Sequence, residues 1–339
     1  MVMQDGGTVD VRPGPDPGRA APEHSGAYLA AGLCLLLHAA ALIGWTVHGI
    51  AQGDGTVMDF FEGLFNPAAG PGAQLLGPYE WAFALAFLVI ARLTLAQRRV
   101  ARTAALLCGF VLLALSAREG VGLFDAAYRD QYSNDPLGGW MLATRGLGLL
   151  TALVVLVVLL PAKERRGADG PGGPDELDAW WRRPSRICGV LFLALGAAQL
   201  AWTVRTMTSP MVRADSFLHA VVDGSVPGTL HLETTPEFAA VGTVAALLTL
   251  GALALRGRRD VRGALLVFAS VQLYLTVRTV VLLAVTGSFN RSFDTHTGML
   301  ATATSGYALA AMTSVVVLST GRGAGVYAGS RAWALHTPE

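Results

Sequence analysis

The chain has 339 residues, of which 53% are apolar and only 14% are charged, and its formal net charge is +1. A soluble domain carries about 25% charged residues, so this composition excludes an ordinary water-soluble enzyme, and the high hydrophobicity excludes a disordered chain. The near-neutral charge balance gives no electrostatic basis for nucleic-acid binding, and we expect no nucleic-acid partner.

Apolar runs long enough to cross a bilayer as helices follow one another along the chain. Residues 1–26 are rich in proline and glycine and predict a disordered tail rather than a cleavable signal peptide. The sequence then predicts eight membrane helices, at about residues 27–49, 79–97, 102–122, 137–161, 186–207, 236–255, 261–286 and 296–319. The expected fold class is an all-α polytopic membrane protein with eight transmembrane helices.

Most arginine residues, and the single lysine, lie on one side of these predicted spans. Because basic residues favour the cytoplasmic side of a membrane, both termini are predicted to be cytoplasmic in a multi-pass protein of the plasma membrane. The outer face then carries two long loops, 50–78 and 208–235, and two shorter ones, 123–136 and 287–295.

Polar residues recur at a nearly constant offset of about 157–160 residues, which indicates an internal duplication. Trp45 near the end of the first helix matches Trp202 near the end of the fifth. Glu80 at the start of the second helix matches Glu237 at the start of the sixth. Matches between apolar residues arise easily by chance, but matches between polar residues at one offset do not.

The duplication predicts two tandem four-helix units in a single chain. Four spans is an even number, so both units share one orientation, and a pseudo-twofold axis along the membrane normal would relate them. The predicted segments are a disordered cytoplasmic tail at 1–26, a first unit at 27–161, a cytoplasmic linker at 162–185, a second unit at 186–319 and a cytoplasmic tail at 320–339.

Ionisable side chains in the predicted spans gather towards the outer helix ends. Such residues are costly in a membrane, and each is therefore a functional candidate. The candidate catalytic residues of the first unit are Glu80, Glu119, Asp125, His48 and Arg118. Their second-unit equivalents or neighbours are Glu237, Arg278, Arg205 and Tyr274. Because the first unit has the fuller acid–base set, we expect any catalytic centre there.

The pairs Glu80–Arg118 and Glu237–Arg278 admit two interpretations. They could be ion pairs that join neighbouring helices, or carboxyl groups whose proton affinity a nearby cation adjusts for catalysis. A further histidine, His38, lies in mid-span and is interpreted as a core residue bonded to a neighbouring helix.

Other side chains near the outer face are candidates for substrate binding, and two loop segments could cover such a site. The candidates are Arg145, Trp45, Trp81, Phe61, Tyr128 and Trp140. Segments 57–65 and 214–222 are amphipathic and could be membrane-surface anchors or lids over a cavity. No metal-ligand spacing or nucleotide-binding motif occurs, so we expect neither a metal nor another cofactor.

The unit design, with Glu80 on the second helix and Glu119 on the third, resembles the emopamil-binding-protein superfamily of sterol isomerases. It is also similar to the integral-membrane terpene cyclases. Pro78-Tyr79-Glu80-Trp81 resembles the PxE(E/D) motif of membrane lycopene cyclases, with Trp81 in place of the second acid. The resemblance implies that Glu80 protonates an alkene or epoxide, that aromatic faces stabilise the carbocation, and that Glu119 or Asp125 is the base.

Three functions remain open from the sequence. The first is a metal-independent membrane enzyme for protonation-initiated cyclisation or isomerisation of a lipophilic, isoprenoid-like substrate. The second is a small-molecule transporter or exporter, which the two-unit symmetry favours. The third is a non-catalytic membrane scaffold subunit. The expected partners are a lipophilic small molecule and membrane lipid.

Overall fold

A computed structural model describes residues 19–53, 56–69, 76–162, 174–210, 213–225, 232–257 and 261–320. Within these ranges the chain is helical, and its β-structure is limited to one bridge between Arg19 and Arg98. The α-helices are α1 Ser25–Gln52, α2 Val57–Phe65, α3 Pro78–Leu95, α4 Arg99–Gly122, α5 Ala126–Asn134, α6 Gly138–Leu159, α7 Pro174–Met207, α8 Ala214–Val222, α9 Pro236–Leu255, α10 Arg262–Val285, α11 Ser288–Arg291 and α12 His296–Thr320.

Eight of these helices are long and apolar enough to cross a membrane: α1, α3, α4, α6, α7, α9, α10 and α12. Each coincides with one of the eight predicted spans, so this part of the prediction is confirmed. The chain is a multi-pass membrane protein. The four remaining helices, α2, α5, α8 and α11, are short and lie in the predicted outer loops.

Two predicted non-helical segments are shorter than expected where the structure describes them. Part of the predicted tail, 19–26, is folded, because Ala20 donates a backbone hydrogen bond of 2.8 Å to the carbonyl of Gln97 and α1 begins at Ser25. The second half of the predicted linker is the start of α7, where Pro174 suits a first helical turn. Residues 1–18, 163–173 and 321–339 lie outside the described residues.

The first four membrane helices form a closed ring in which α1 packs on α3 and α6, and α4 packs on α3 and α6. Fully buried side chains such as Tyr28, Leu35, Phe87 and Ile90 fill its centre. Small residues allow close approach: a Cβ on Gly109 of α4 would lie 3.1 Å from Val155 of α6.

The last four membrane helices are arranged differently. Helix α7 packs on α9 and α12, and α12 packs on α10. Helix α10, however, also packs on α4 and α3 of the first ring, and its contact with α9 is slight. Thus α10 joins the two halves of the molecule and leaves the second ring open between α9 and α10.

Similar hydrogen bonds nevertheless occur in the two halves of the chain. The indole of Trp45 donates to the hydroxyl of Thr144 at 2.8 Å, and that of Trp202 donates to Thr304 at 3.2 Å. At the other end of the bundle, Arg102 and Arg262 donate to the carbonyls of Leu159 and Ser319 at 2.9 and 2.7 Å. These contacts link the first and fourth, or third and fourth, membrane helices of each half.

Candidate functional site

The closed first ring contains a cavity of about 50 Å³, which we call the aromatic cavity. Three aromatic rings, those of Tyr79, Phe83 and Phe87, line it from α3. The other lining residues are His38, Leu42, Glu80, Val111, Leu112, Leu115, Ser116, Thr144, Arg145, Gly148 and Leu232. The cavity is therefore mostly apolar, with an acid, a base and a cation in its wall.

Glu80 is buried in the first turn of α3, where the positive end of the helix dipole favours a carboxylate. Thr234, in the outer segment before α9, donates twice to its Oε1. The backbone N–H is at 2.8 Å and the hydroxyl is at 2.5 Å. The other carboxyl oxygen, Oε2, is buried without a hydrogen-bond partner among the described residues. Thr234 thus fixes one oxygen of Glu80, while the described part of the chain provides no partner for the other.

A glycine separates Glu80 from a second acid. A Cβ on Gly77 would lie 2.8 Å from Oε2 of Glu80 and 2.5 Å from Oε1 of Glu233. Glu233 is exposed, whereas Glu80 is 8% exposed. The missing side chain at Gly77 therefore lets a surface carboxyl approach the free oxygen of a buried one.

Glu119 is also buried but is held by a network of its own. Its Oε1 lies 3.4 Å from Arg145 and 3.8 Å from Arg118, and its Oε2 accepts a 2.8 Å hydrogen bond from the Tyr128 hydroxyl. Burial, followed by the nearby Glu119 charge, raises the pKa of Tyr128, which remains a protonated donor at neutral pH. Both Glu119 oxygens are engaged, and this residue does not line the aromatic cavity.

The two predicted ion pairs do not form among the described residues. Arg118 lies beside Glu119 rather than Glu80, and its guanidinium also stacks 5.4 Å above the ring of Phe238. Glu237 is half-buried, and no ion pair joins it to Arg278 in the part of the chain described. The physical reason is that both arginines bind the outer segments of the opposite half.

These outer segments cross between the halves. Nε of Arg118 donates to the carbonyl of Ala220 in α8 at 3.2 Å, and Nη2 of Arg278 donates to the carbonyl of Gly63 in α2 at 3.3 Å. Both acceptors lie in the C-terminal part of a short helix, where a cation is favourable. Tyr274 adds a 2.6 Å hydrogen bond to the carbonyl of Leu64.

Backbone contacts hold Gly224 and Leu232, which belong to the second long loop of the predicted outer face, against the first half. A Cβ on Gly224 would lie 3.2 Å from the Cα of Glu119, and the Gly224 N–H donates to the carbonyl of Arg118 at 3.2 Å. Arg145 donates to the carbonyl of Leu232 at 3.1 Å. The described residues between α8 and α9, 223–225 and 232–235, therefore close the end of the first ring at which α3 begins and α4 ends.

Several predicted site residues lie away from the aromatic cavity. Asp125 is exposed and caps α5, since its Oδ1 accepts a 2.8 Å hydrogen bond from the Ala127 N–H. His48 is half-buried, with its ring 6.0 Å from Trp45. Trp140 is 70% exposed. None of these residues lines the aromatic cavity.

Other predicted binding residues have structural contacts. Trp81 packs 5.2 Å from the ring of Phe60 in α2, whereas Phe61 is exposed. Arg205 donates to the hydroxyl of Thr297 at 2.6 Å and stacks on Trp202. Of the predicted binding residues, Arg145 alone lines the aromatic cavity.

Sequence reasoning missed several cavity residues. His38 was interpreted as a bonded core histidine, yet its Nδ1 is buried without a partner among the described residues, and it lines the cavity. Its position in mid-span was the available signal. The sequence gives no such signal for Leu232, which lines the cavity, or for Thr234, which binds Glu80. Both belong to the second half, in the segment before α9.

Within the described ranges, no group of three or more His, Cys, Asp or Glu side chains is placed to hold a metal ion. No protein family, curated protein or solved structure matches the chain. The function is therefore inferred from the geometry of the site.

Proposed function

We propose that the chain is an integral-membrane enzyme that uses carboxyl acid–base chemistry on a lipophilic, isoprenoid-like substrate. The reaction would be a cyclisation or isomerisation that begins with protonation, as in the terpene cyclases and sterol isomerases that the sequence resembles. The substrate and membrane lipid would be the partners, with no nucleic acid. The reaction would need no metal ion, because carboxyl and imidazole groups supply and remove the proton.

The observation that carries this proposal is the free Oε2 of Glu80 at the aromatic cavity. A buried carboxyl oxygen without a hydrogen-bond partner costs stability, and a role in catalysis would account for it. Aromatic faces attract cations, and Phe83 and Phe87 flank the same space. An acid beside aromatic rings suits a reaction that passes through a carbocation.

In the proposed step, the O–H bond of Glu80 breaks as the π electron pair of a substrate alkene takes the proton. A new C–H bond forms, and the neighbouring carbon becomes a cation. His38, with its unpartnered nitrogen, then removes a proton from an adjacent carbon, and the released electron pair forms a new C=C bond. Glu119 and Asp125, the bases implied by the resemblance, are replaced by His38 because only His38 lines the cavity.

Glu233 supplies the proton for the next cycle in this proposal. It is exposed and faces Glu80 across Gly77. The proton returns to the outer aqueous phase from His38, so the cycle leaves no net change in the protein.

Substrate entry requires movement, since about 50 Å³ is far below the roughly 300–1,000 Å³ of ordinary ligand sites. Leu232 and Thr234 form the outer closure of the cavity. Displacement of this segment would widen the site and would also release Oε1 of Glu80. In this proposal, Leu232 and Thr234 therefore act as a lid over the aromatic cavity.

We also infer that the two halves are units related by a pseudo-twofold axis along the membrane normal. The matched Trp–Thr and Arg–carbonyl hydrogen bonds support this relation. From the distribution of arginine we infer a plasma-membrane location with both termini cytoplasmic. The acids of the site would then be near the outer face.

The test compares Glu80→Gln with Glu237→Gln in cells that express the chain. Extracted lipophilic metabolites would be compared by mass spectrometry, and folding would be checked by thermal unfolding of the purified protein. We expect Glu80→Gln to abolish the chain-dependent product while the protein stays folded, and Glu237→Gln to retain it. Unchanged product with Glu80→Gln would overturn the proposal.

A scaffold role is the second candidate, and the crossed contacts of Arg118 and Arg278 favour it. Such contacts rigidify the molecule without requiring any chemistry. If no metabolite depends on the chain and both glutamine variants lose stability equally, the scaffold interpretation replaces the enzyme.

A further inference from the structure

The second half contains a cleft of about 300 Å³, six times the volume of the aromatic cavity and at the lower end of the range of ligand sites. We call it the polar cleft. Its lining residues are Gln199, Trp202, Gln272, Leu275, Thr276, Thr279, Ala301, Thr304, Ser305 and Ala308. They come from α7, α10 and α12.

The polar cleft is open where the aromatic cavity is closed. Helix α3 lines the aromatic cavity with four residues, but none of the described residues of α9, its counterpart, lines the polar cleft. This follows from the packing of α10 on α3 and α4 rather than on α9. Thr279 and Ala301 at the cleft are exposed, so an occupant has access from the side of the bundle.

Two apolar positions of the aromatic cavity are replaced by amides in the polar cleft. Leu42 and Leu112 correspond to Gln199 and Gln272 at the offset of the duplication. Amides on membrane helices are costly unless a polar group satisfies them. The carboxamide of Gln199 has no hydrogen-bond partner among the described residues, whereas that of Gln272 donates to Thr243 at 3.1 Å.

The hydroxyl hydrogens of the cleft are already used. Thr276, Thr279, Thr304 and Ser305 each donate to the backbone carbonyl four residues earlier, at 2.7 to 3.0 Å. The Thr304 oxygen also accepts from the Trp202 indole at 3.2 Å, whereas the oxygens of Thr276, Thr279 and Ser305 keep lone pairs as acceptors. A partner that fits these three hydroxyls must therefore donate hydrogen bonds, and the Gln199 amide can both donate and accept.

The absence of charged side chains from the described lining of the cleft further restricts which ligands fit it. No charged residue is among the described residues that line it, so an ionised group would be buried without a counter-ion. Trp202 and Leu275 provide apolar surface beside the acceptors. An uncharged group with several hydroxyls, next to an apolar portion, satisfies each of these conditions.

We propose that the polar cleft binds an uncharged polyhydroxy group, either the head of a hydroxylated lipid that enters from the bilayer or a free polyol. This site is separate from Glu80 and does not depend on the proposed enzyme. The amide of Gln199 and the hydroxyl oxygens of Thr279 and Ser305 would receive the hydroxyl donors.

The test uses the purified full chain in lipid nanodiscs with a photoactivatable monoacylglycerol as the probe. Crosslinked peptides would be mapped by mass spectrometry, and competition would be measured with unlabelled monoacylglycerol, with free glycerol and with a fatty-acid anion. We expect crosslinks on α10 or α12 and competition by a hydroxylated compound. Competition by monoacylglycerol alone identifies a lipid head, and equal competition by glycerol identifies a free polyol.

Gln199→Leu and Thr279→Val are the test variants, because the first restores the residue of the first half and the second keeps the side-chain shape. Loss of one neutral hydrogen bond is expected to weaken competition by about fivefold. Thermal unfolding checks that both variants fold, and Ser270→Ala, at an exposed hydroxyl of α10 that does not line the cleft, serves as the matched control with full binding. Three results would overturn the proposal. They are an absence of crosslinks from α10 and α12, equally strong competition by the fatty-acid anion, and unchanged binding in both variants.

Discussion

Thr234 donates two hydrogen bonds to one oxygen of Glu80, although the two residues belong to opposite halves of the chain. The first turn of α3 positions Glu80, and Thr234 of the second half orients its carboxyl group. Removal of the hydroxyl by Thr234→Val leaves the backbone hydrogen bond in place. Because a hydrogen bond between neutral groups contributes about 0.5–1.5 kcal/mol, we expect a lower free energy of unfolding and slower product formation.

Thr234→Ser is the matched control for that prediction, since it retains the hydroxyl and should restore both quantities. Chemical or thermal unfolding measures stability, and the metabolite assay measures turnover. Equal behaviour of the valine and serine variants would show that the hydroxyl does not position Glu80.

The approach of Glu233 to Glu80 depends on Gly77. In Gly77→Ala, the new methyl group would meet both carboxyl groups, and the exposed Glu233 side chain can swing away to avoid it. We therefore expect the fold to survive while product formation falls, because the proton supply to Glu80 is interrupted. Measurement of turnover against pH should show the same change in Glu233→Gln.

Gly146→Ala is the control for this alanine, since a Cβ there meets nothing within 4 Å. The double variant Gly77→Ala/Glu233→Gln should be no slower than either single variant. An additive loss of turnover would contradict a shared proton route.

The crossed arginine contacts make a prediction about distant segments. Arg118→Gln should increase amide hydrogen exchange in α8, whereas Arg278→Gln should increase it in α2, because each arginine holds the segment of the other half. Local opening costs less free energy when such contacts are lost. Exchange measured by mass spectrometry would contradict the crossing if each variant loosened the short helix of its own half.

The Glu119 network is expected to contribute to stability rather than catalysis. Glu119→Gln leaves Arg118 and Arg145 buried beside an uncharged amide, and loss of one partner of a buried ion pair costs about 3–5 kcal/mol. Glu237, half-buried and without an ion pair among the described residues, provides the comparison. Unfolding experiments should show the larger loss of stability for Glu119→Gln.

Tyr128 adds a pH dependence to this network. Its raised pKa, which results first from burial, means that the folded protein retains the phenol proton at a pH where the unfolded chain loses it. Ionisation of Tyr128 should therefore not affect the free energy of unfolding at neutral pH. The free energy of unfolding should fall once the pH exceeds about 10, the ordinary pKa of tyrosine. Tyr128→Phe should flatten that alkaline decline, and an unchanged pH profile would contradict the assignment.

The eight spans were predictable because apolar length is a local property of the sequence. Glu80 also stands out in the sequence, because an acid at the start of a membrane helix contrasts with its apolar neighbours, and its catalytic role stays a prediction. The partners of that acid were not predictable. Thr234 and Glu233 lie on an outer segment whose path across the molecule depends on tertiary packing.

The same packing explains the remaining differences. Glu80 and Arg118 are a candidate pair in the sequence because both recur in the second half, but the sequence does not show that α8 reaches Arg118. Asp125 was chosen for its charge, whereas its position before α5 makes it a helix cap. Pro174 could have indicated that α7 begins within the predicted linker.

Exchange of the outer segments has a consequence for each half taken separately. The first half alone would lack Thr234 and Leu232, and its acid would face the outer aqueous phase; the second half alone would lose the contacts from α2. If the two halves arose by the proposed duplication, the ancestral unit would have been complete only as a pair of identical subunits, each covering its partner. Fusion into one chain would then have allowed the two copies to diverge, as Leu42 and Gln199 illustrate, while they remained mutually dependent.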